Sequence, residues 1–250
     1  MKFACITSMH QAYFDHIGNH MIESYKTYWP KDIPLYLYAE NMDYKDPSGH
    51  VITVDWNEAC EKDWKTFAIK SDDSRAHRFG KKAYASMHGW RNIDADFIIW
   101  LDADMLFQKH INEEVLQKTL SDNQLVGLFD NDYQRIHRGE EPVRTKWSAE
   151  SGYVIVNKKH KNFKEFVDRY QEIYDLPEKP EEITNWWDNE TLMLSAKDFI
   201  SEVHDLSQYR TTNKTQTPLN KCFLADYMSH FKGKSKKRRE QTVFTEYTKV

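Results

Sequence analysis

The first half of the chain alternates short, continuous apolar runs with longer runs in which apolar residues recur at helical spacing. The short runs span residues 3–7, 33–39 and 51–54, and each of them predicts a strand. Between the first two, residues 13–29 carry apolar side chains every three or four positions, and Pro30 ends the run. The order strand, helix, strand predicts a βαβ opening and therefore an α/β fold.

The alternation continues along the rest of the chain. Residues 57–92 predict a long helical stretch, and the apolar run at 97–101 predicts a buried strand. Further elements predicted by the pattern are helices at 111–120, 163–174 and around 192–194, strands at 125–129 and after Gly152, and a surface loop at 211–221. Residues 130–149 are polar with little periodicity, and a loop of that length predicts a mobile flap or an acceptor-binding segment.

The buried strand at 97–101 stops abruptly at Asp102-Ala103-Asp104. In open α/β sheets, ligands bind at the carboxyl ends of the strands. Residues i and i+2 of an extended chain point to the same side, so both carboxylates can face one ligand while Ala103 turns away. Two carboxylates this close repel each other unless a cation lies between them, and their oxygens suit Mg²⁺ or Mn²⁺. The motif alone is equally compatible with a solvated turn after a strand.

A basic stretch precedes the acidic strand. Within residues 74–84, Arg78 and Lys82 are four positions apart and share one helical face, which either points towards a diphosphate or forms a solvated cationic surface. No glycine-rich loop follows the first predicted strand, which excludes a P-loop and a dinucleotide fingerprint. Any phosphate must therefore be held by a metal ion and side chains.

Asn185-Trp186-Trp187-Asp188 is a second concentration of candidate chemistry. Asp188 can cap the helix that follows it, a structural role that is common for an aspartate. The two tryptophans offer flat rings on which a sugar can stack. The two roles are compatible.

Composition indicates a soluble globular protein, with 40% hydrophobic and 30% charged residues in 250 positions. The net charge is −4, but residues 232–240 carry a net +5, which leaves −9 for the rest. We expect one domain at 1–237 and a flexible basic and polar tail at 238–250. The three cysteines lack metal or disulfide spacing, and neither a signal region nor a membrane span is evident, which predicts a cytoplasmic protein.

Four motifs occur in a fixed order: Asp102-Ala103-Asp104 after an apolar strand, Ser151-Gly152 opening a strand, Asp188 before a helix, and His230-x-x-Gly233-x-x-Lys236. Together they resemble the GT-A-fold glycosyltransferases that use nucleotide-sugar donors. The last motif is similar to that of glycosyltransferase family 8, the glycogenin and galactosyltransferase family. The stretches around Arg78, Glu150 and Trp187 also resemble glycosyltransferase-like proteins of viruses and bacteria. The resemblance covers residues 1–238 and implies a Rossmann-like mixed sheet flanked by helices.

The resemblance also implies a metal site and a donor site. Asp104 and His230 would bind Mn²⁺ or Mg²⁺, and Asp102 would bind the metal or the donor ribose. Residues expected to contact a nucleotide-sugar, a UDP-sugar by resemblance, are Thr7, Ser8, Arg78, Lys82, Asp102, Gly233 and Lys236. An imidazole ligand favours Mn²⁺ over Mg²⁺.

Transfer of a hexose to an acceptor hydroxyl is the reaction that the resemblance implies, with Asp188 beside the sugar. Asp188 or Glu150 would act as general base if the enzyme inverts, and a carboxylate would stabilise an oxocarbenium-like state if it retains. The family has Asn before Ser-Gly and Gln after the capping Asp, whereas this chain has Glu150 and Asn189. Because of these differences, neither the donor sugar nor the stereochemical outcome of the family is inferred for this chain.

Two other functions remain open. A phosphohydrolase could use the Asp-x-Asp acids, one as a nucleophile, although such enzymes carry the motif on their first strand. A non-catalytic nucleic-acid-binding protein could use residues 232–239, although the acidic body argues against it. The acceptor of a glycosyltransferase could be a glycan, a protein or, combining both ideas, a modified DNA base.

Overall fold

The computed structural model describes residues 1–70, 73–130, 148–209 and 218–231. Three sequence expectations lie wholly or largely outside these ranges. They concern the flap at 130–149, the surface loop at 211–221, and the basic tail together with Gly233 and Lys236.

Nine strands lie within the described residues: β1 (Phe3–His10), β2 (Leu35–Glu40), β3 (Val51–Asp55), β4 (Phe97–Leu101), β5 (Met105–Phe107), β6 (Val126–Asp130), β7 (Ala149–Asn157), β8 (Val203–Asp205) and β9 (Met228–His230). Seven of them form a central sheet in the order β3-β2-β1-β4-β7-β6-β8, and β5 pairs with β9 in a separate ribbon. The predicted strands are therefore confirmed, with shifts of a few residues at their ends.

The central sheet is mixed. β1 is parallel to both β2 and β4, whereas β7 runs antiparallel to β4 and β6. The carboxyl ends of β1 and β4 and the amino end of β7 therefore lie at the same end of the sheet, where Leu101 lies opposite Tyr153. We call this end of the central strands the acidic edge. It carries the Asp102–Asp104 turn and the start of β7.

The helices lie between these strands: α1 (Gln11–Tyr13), α2 (Asn19–Tyr28), α3 (Trp56–Ala68), α4 (Ser74–Asn92), α5 (Glu113–Gln117), α6 (Phe163–Asp175) and α7 (Asp188–Lys197). The single helix predicted for 13–29 is interrupted by a wider π-helical turn, Phe14–Gly18. The stretch 57–92 contains two helices, because Asp55 and Asp73 cap separate starts by accepting hydrogen bonds from backbone N–H groups.

Each face of the sheet is covered by its own core. On β4, Ile98 and Trp100 pack with α3, α4, α6 and α7, and Phe97 and Ile99 pack on the opposite face with α2 and α5. This alternation follows from the two-residue period of a strand. Among the described residues, every helix is too short or too polar to span a bilayer.

Asp46 fastens the connection from β2 to β3. Its carboxylate accepts hydrogen bonds from Ser48 Oγ at 2.6 Å and from the Val51 N–H at 2.9 Å, and Lys26 Nζ lies 3.6 Å away. Burial alone would raise the pKa of Asp46, but the hydrogen bonds from Ser48 and Val51 and the charge of Lys26 outweigh burial and hold the pKa at about 2.

Asp46→Asn should flatten the acid limb of the stability profile. The folded-state pKa is depressed, so the carboxylate contributes stability above pH of about 4, and this contribution is lost as the pH falls towards 2. Urea unfolding between pH 2 and 6 measures the slope. Asp43→Asn is the control, because the Asp43 side chain in the same connection is 81% exposed. Equal slopes for wild type and Asp46→Asn would contradict the assignment.

Candidate active site

The turn after β4 holds two carboxylates in place through its backbone. The Asp102 N–H donates to the Gly152 carbonyl at 2.9 Å, and the Met105 N–H donates back to the Asp102 carbonyl at 3.1 Å. As predicted, Asp102 and Asp104 point to one cluster, whereas Ala103 packs into the core.

His230 reaches this cluster from the far end of the described chain. Its Nε2 lies 3.1 Å from Asp104 Oδ1 and 3.4 Å from Asp102 Oδ2. β9 holds His230 opposite Met105 of β5. The side-chain amide of Asn220 also accepts a hydrogen bond from the His230 N–H and donates one to the His230 carbonyl, each at 2.8 Å. The ligand atoms of the two aspartates and the histidine all lie within 4.8 Å of one another.

Glu150 lies against the other nitrogen of the same imidazole. Its Oε1 is 3.1 Å from His230 Nδ1, and both residues are only 2% exposed. Burial lowers the pKa of His230, but Asp102, Asp104 and Glu150 together raise that pKa well above its usual range. The imidazolium therefore has negative charge on both sides.

Gly152 makes room for this ring. A Cβ at position 152 would lie 2.3 Å from His230 Cε1 and 2.5 Å from Nδ1. A side chain of any size would therefore push the imidazole out of its place.

Lys82 connects the acidic turn to Asp188. Its ammonium lies 2.6 Å from Asp102 Oδ1 and 2.9 Å from Asp188 Oδ2, and it donates to the Ser151 carbonyl at 2.7 Å. Burial lowers the pKa of Lys82, but the two carboxylates outweigh burial and raise it. The Trp100 indole N–H also donates to Asp102 Oδ1, at 2.8 Å. The Lys82 side chain is 15% exposed, so it does not belong to a solvated cationic face.

Asp188 is the first residue of α7, and the capping prediction is wrong. The N-cap position is Trp187, which makes no side-chain capping bond, and the Asp188 carboxylate turns to Lys82. Trp186 is a core residue packed against Tyr174. Only Trp187 is partly exposed, with its ring 5.9 Å from that of Phe79. The predicted pair of stacking rings is therefore reduced to one.

Of the other predicted donor contacts, Thr7, Ser8 and Arg78 lie within the described residues. Thr7 is fully buried, and its Oγ1 has no hydrogen-bond partner among the described residues, whereas Ser8 is partly exposed. Arg78 is exposed, with its guanidinium 4.9 Å from the centre of the Phe79 ring.

Tyr13 is a site residue that the sequence analysis missed. Burial and the negative charges of Asp104 and Asp102 raise the pKa of its hydroxyl, a hydrogen bond with Asp104 raises it further, and Arg78 opposes them. The sequence analysis placed Tyr13 only as the first residue of a predicted helix. Its position just after the carboxyl end of β1 was the signal that could have identified it.

The cluster fits a divalent cation. Two carboxylates and an imidazole form a donor set that suits Mn²⁺. In the structure, the positively charged imidazolium of His230 places its Nε2–H next to both aspartates, where a cation would lie. The missing Cβ of Gly152 leaves room for the His230 ring beside the two aspartates, which also fits a metal site.

Lys82→Met should lower the free energy of unfolding by about 3–5 kcal/mol, because the buried Asp188 carboxylate would lose the ammonium 2.9 Å away and Asp102 would keep only His230 as a counter-charge among the described residues. Chemical denaturation at pH 7 measures the change. Lys159→Met is the matched control, since Lys159 pairs with Asp96 at 2.9 Å but its side chain is 59% exposed. Its loss should cost less than about 1 kcal/mol. Similar small losses for both variants would rule out the bridging role of Lys82.

Gly152→Ala should weaken Mn²⁺ binding by about tenfold or more, because the new methyl group displaces His230. Isothermal titration calorimetry measures the affinity, and circular dichroism checks the fold. Gly49→Ala is the control, because no atom lies within 4 Å of its added Cβ and its positive φ affects stability alone. Unchanged affinity in Gly152→Ala would separate His230 from the metal site.

Solved structures provide a comparison for the fold. The mouse xyloside xylosyltransferase 1 is 13% identical over 82% of this chain and 85% of its own, with a TM-score of 0.51. The galactosyltransferase LgtC, in complex with donor and acceptor sugar analogs, is 14% identical over 92% and 87%, with a TM-score of 0.52. A glycosyltransferase involved in glycosylation of the PBCV-1 major capsid is 12% identical over 97% and 100%, with a TM-score of 0.50.

No protein-family model and no curated protein sequence matches the chain. The likeness to solved structures therefore concerns the fold. The seven-stranded mixed sheet, flanked by helices on both faces, has the arrangement of these neighbours. The chain has the GT-A fold.

Proposed function

We propose that the protein is a metal-dependent glycosyltransferase that moves a sugar from a nucleotide-diphosphate sugar to an acceptor hydroxyl. The observation that carries this proposal is the cluster of Asp102, Asp104 and His230 at the carboxyl edge of a GT-A sheet. Nucleotide-sugar chemistry needs positive charge at this edge, because ligands of such sheets bind there and the departing group is anionic. The three structural neighbours, all named as glycosyltransferases, support the same conclusion.

Asp102, Asp104 and His230 would hold the cation, for which we propose Mn²⁺ ahead of Mg²⁺. When bound, the cation supplies Lewis-acid charge that stabilises the departing diphosphate. Arg78, Gly233 and Lys236 remain proposed diphosphate contacts; the last two rest on the resemblance alone.

The nucleotide would lie along the carboxyl end of β1. Ser8, which is partly exposed, and Tyr13 lie close in sequence at this end of the sheet and would contact the nucleotide. Thr7 stays a proposed contact from the resemblance, although its hydroxyl is fully buried and would have to become accessible. We propose a UDP-sugar as the donor and a hexose as the transferred group.

The transferred sugar would lie beside Asp188. The Lys82 ammonium holds this carboxylate 2.9 Å away, and the same ammonium contacts Asp102. A fixed carboxylate serves either stereochemical outcome: as the general base for the acceptor hydroxyl in inversion, or as a stabiliser of an oxocarbenium-like state in retention. Glu150 is the weaker candidate base, because the His230 ring separates it from the aspartates.

The acceptor would bind beside Trp187. This ring is partly exposed, follows Trp186 and precedes Asp188, and the Arg75 guanidinium lies 6.0 Å from its centre. An aromatic ring next to a carboxylate suits the stacking of a sugar-bearing acceptor. A glycan is therefore the acceptor class that we propose first, ahead of a protein or a modified DNA base.

The phosphohydrolase alternative is less well supported. It needs a free Asp102 oxygen as nucleophile, but Oδ1 contacts Lys82 and the Trp100 indole, and Oδ2 lies 3.4 Å from His230. A carboxylate held on both oxygens suits ligand binding better than attack.

A panel of nucleotide-sugars tests the proposal, with Mn²⁺-dependent donor hydrolysis or transfer as the readout. Asp104→Asn should lower metal-dependent turnover by about 10²–10³-fold, because an amide cannot supply the anionic ligand. The exposed Asp43→Asn variant controls for nonspecific effects, and circular dichroism checks the fold.

Two outcomes would overturn the proposal. One is equal turnover in wild type and Asp104→Asn. The other is hydrolysis of simple phosphomonoesters without any turnover of a nucleotide-sugar, which would favour the phosphohydrolase.

A further inference from the structure

We propose that Glu150 is the positioning residue of the metal site: it holds the His230 ring so that Nε2 faces the two aspartates. This inference deepens the proposed function and rests on its metal site.

The two nitrogens of the His230 imidazole face different groups. Nε2 lies 3.1 Å from Asp104 Oδ1, and Nδ1 lies 3.1 Å from Glu150 Oε1. The Glu150 carboxylate favours a proton on the nearby Nδ1, so a cation that binds the ring takes the Nε2 lone pair once the Nε2 proton has left. A histidine that binds a metal needs such a partner on its second nitrogen to fix tautomer and ring orientation.

Glu150 is itself held in place by β7 and its neighbours. The Gly152 N–H donates to Glu150 Oε1 at 3.2 Å, and the Glu150 backbone pairs with Phe129 of β6. At 2% exposure, its side chain has little room to move. Gly152 thus contributes twice, through its N–H to Glu150 and through its missing Cβ beside His230.

Asn220 and Glu150 constrain different parts of His230. Asn220 fixes the backbone of that residue through two hydrogen bonds, but a fixed backbone leaves the side-chain torsions free. Glu150 supplies the missing constraint on the ring. Loss of Glu150 should therefore weaken the imidazole ligand while leaving the carboxylate ligands, Asp102 and Asp104, in place.

This selectivity gives the readout. Imidazole contributes more to Mn²⁺ than to Mg²⁺. Glu150→Gln keeps the size of the side chain and removes its charge, so we expect Mn²⁺ affinity to fall by about tenfold and Mg²⁺ affinity to fall by much less. Glu150→Ala should lower Mn²⁺ affinity further, towards about a hundredfold, and Glu150→Asp should recover part of the loss.

Isothermal titration calorimetry with MnCl₂ and MgCl₂ measures both affinities on the full-length chain. Glu190→Gln is the matched control, because Glu190 is also a buried carboxylate, 6% exposed, but accepts from the backbone N–H groups of Thr184 and Asn185. It should alter stability and leave both affinities unchanged.

The outcomes separate this inference from the proposed function. A fall in the Mn²⁺-to-Mg²⁺ affinity ratio of Glu150→Gln, with an unchanged ratio in Glu190→Gln, supports the inference. Mn²⁺ binding by wild type with an equal ratio in Glu150→Gln overturns it and leaves the proposed function standing. Wild-type protein that binds no Mn²⁺ overturns both.

Discussion

The structure depends on how four carboxylates are kept together at one edge of the sheet. Asp102, Asp104, Glu150 and Asp188 would repel one another if they were left alone. Two cations separate them: the Lys82 ammonium lies between Asp102 and Asp188, and the His230 imidazolium lies between Glu150 and the two aspartates. The charges form one chain of alternating sign, so each member sets the position of the next.

The topology explains why these groups meet. β7 runs against β4, and this reversal brings Glu150, Ser151 and Gly152 to the end of the sheet where Asp102 emerges. The parallel pairing of β1 with β4 brings Thr7 and Ser8 to that end as well. A polypeptide with only parallel strands would have left the start of β7 on the opposite edge.

Much of this arrangement was predictable from the chain itself. The apolar run before Asp102 identified both the central strand and its polar carboxyl end, because a buried strand and its terminus differ sharply in polarity. His230 was predictable only through resemblance, since a histidine beside a basic tail has no local signature. The destinations of Lys82 and Glu150 depend on which strands are neighbours and how a long side chain bends, and neither is encoded in periodicity. Tyr13 was missed because it was placed only as the first residue of a predicted helix, and its contact with Asp104 depends on the pairing of β1 with β4.

The two hydrogen bonds between the Asn220 amide and the His230 backbone tie β9 in place at the acidic edge. β9 is three residues long, and its pairing with β5 and the two hydrogen bonds of the Asn220 amide help to hold it in register. Any ion gripped by His230 therefore favours the docked form of this short segment over an undocked one. Thermodynamic linkage then makes occupancy and docking mutually reinforcing, by about 2.7 kcal/mol when the ion is present at a hundred times its dissociation constant. The docking of β9 would therefore depend on whether an ion is bound at the acidic edge.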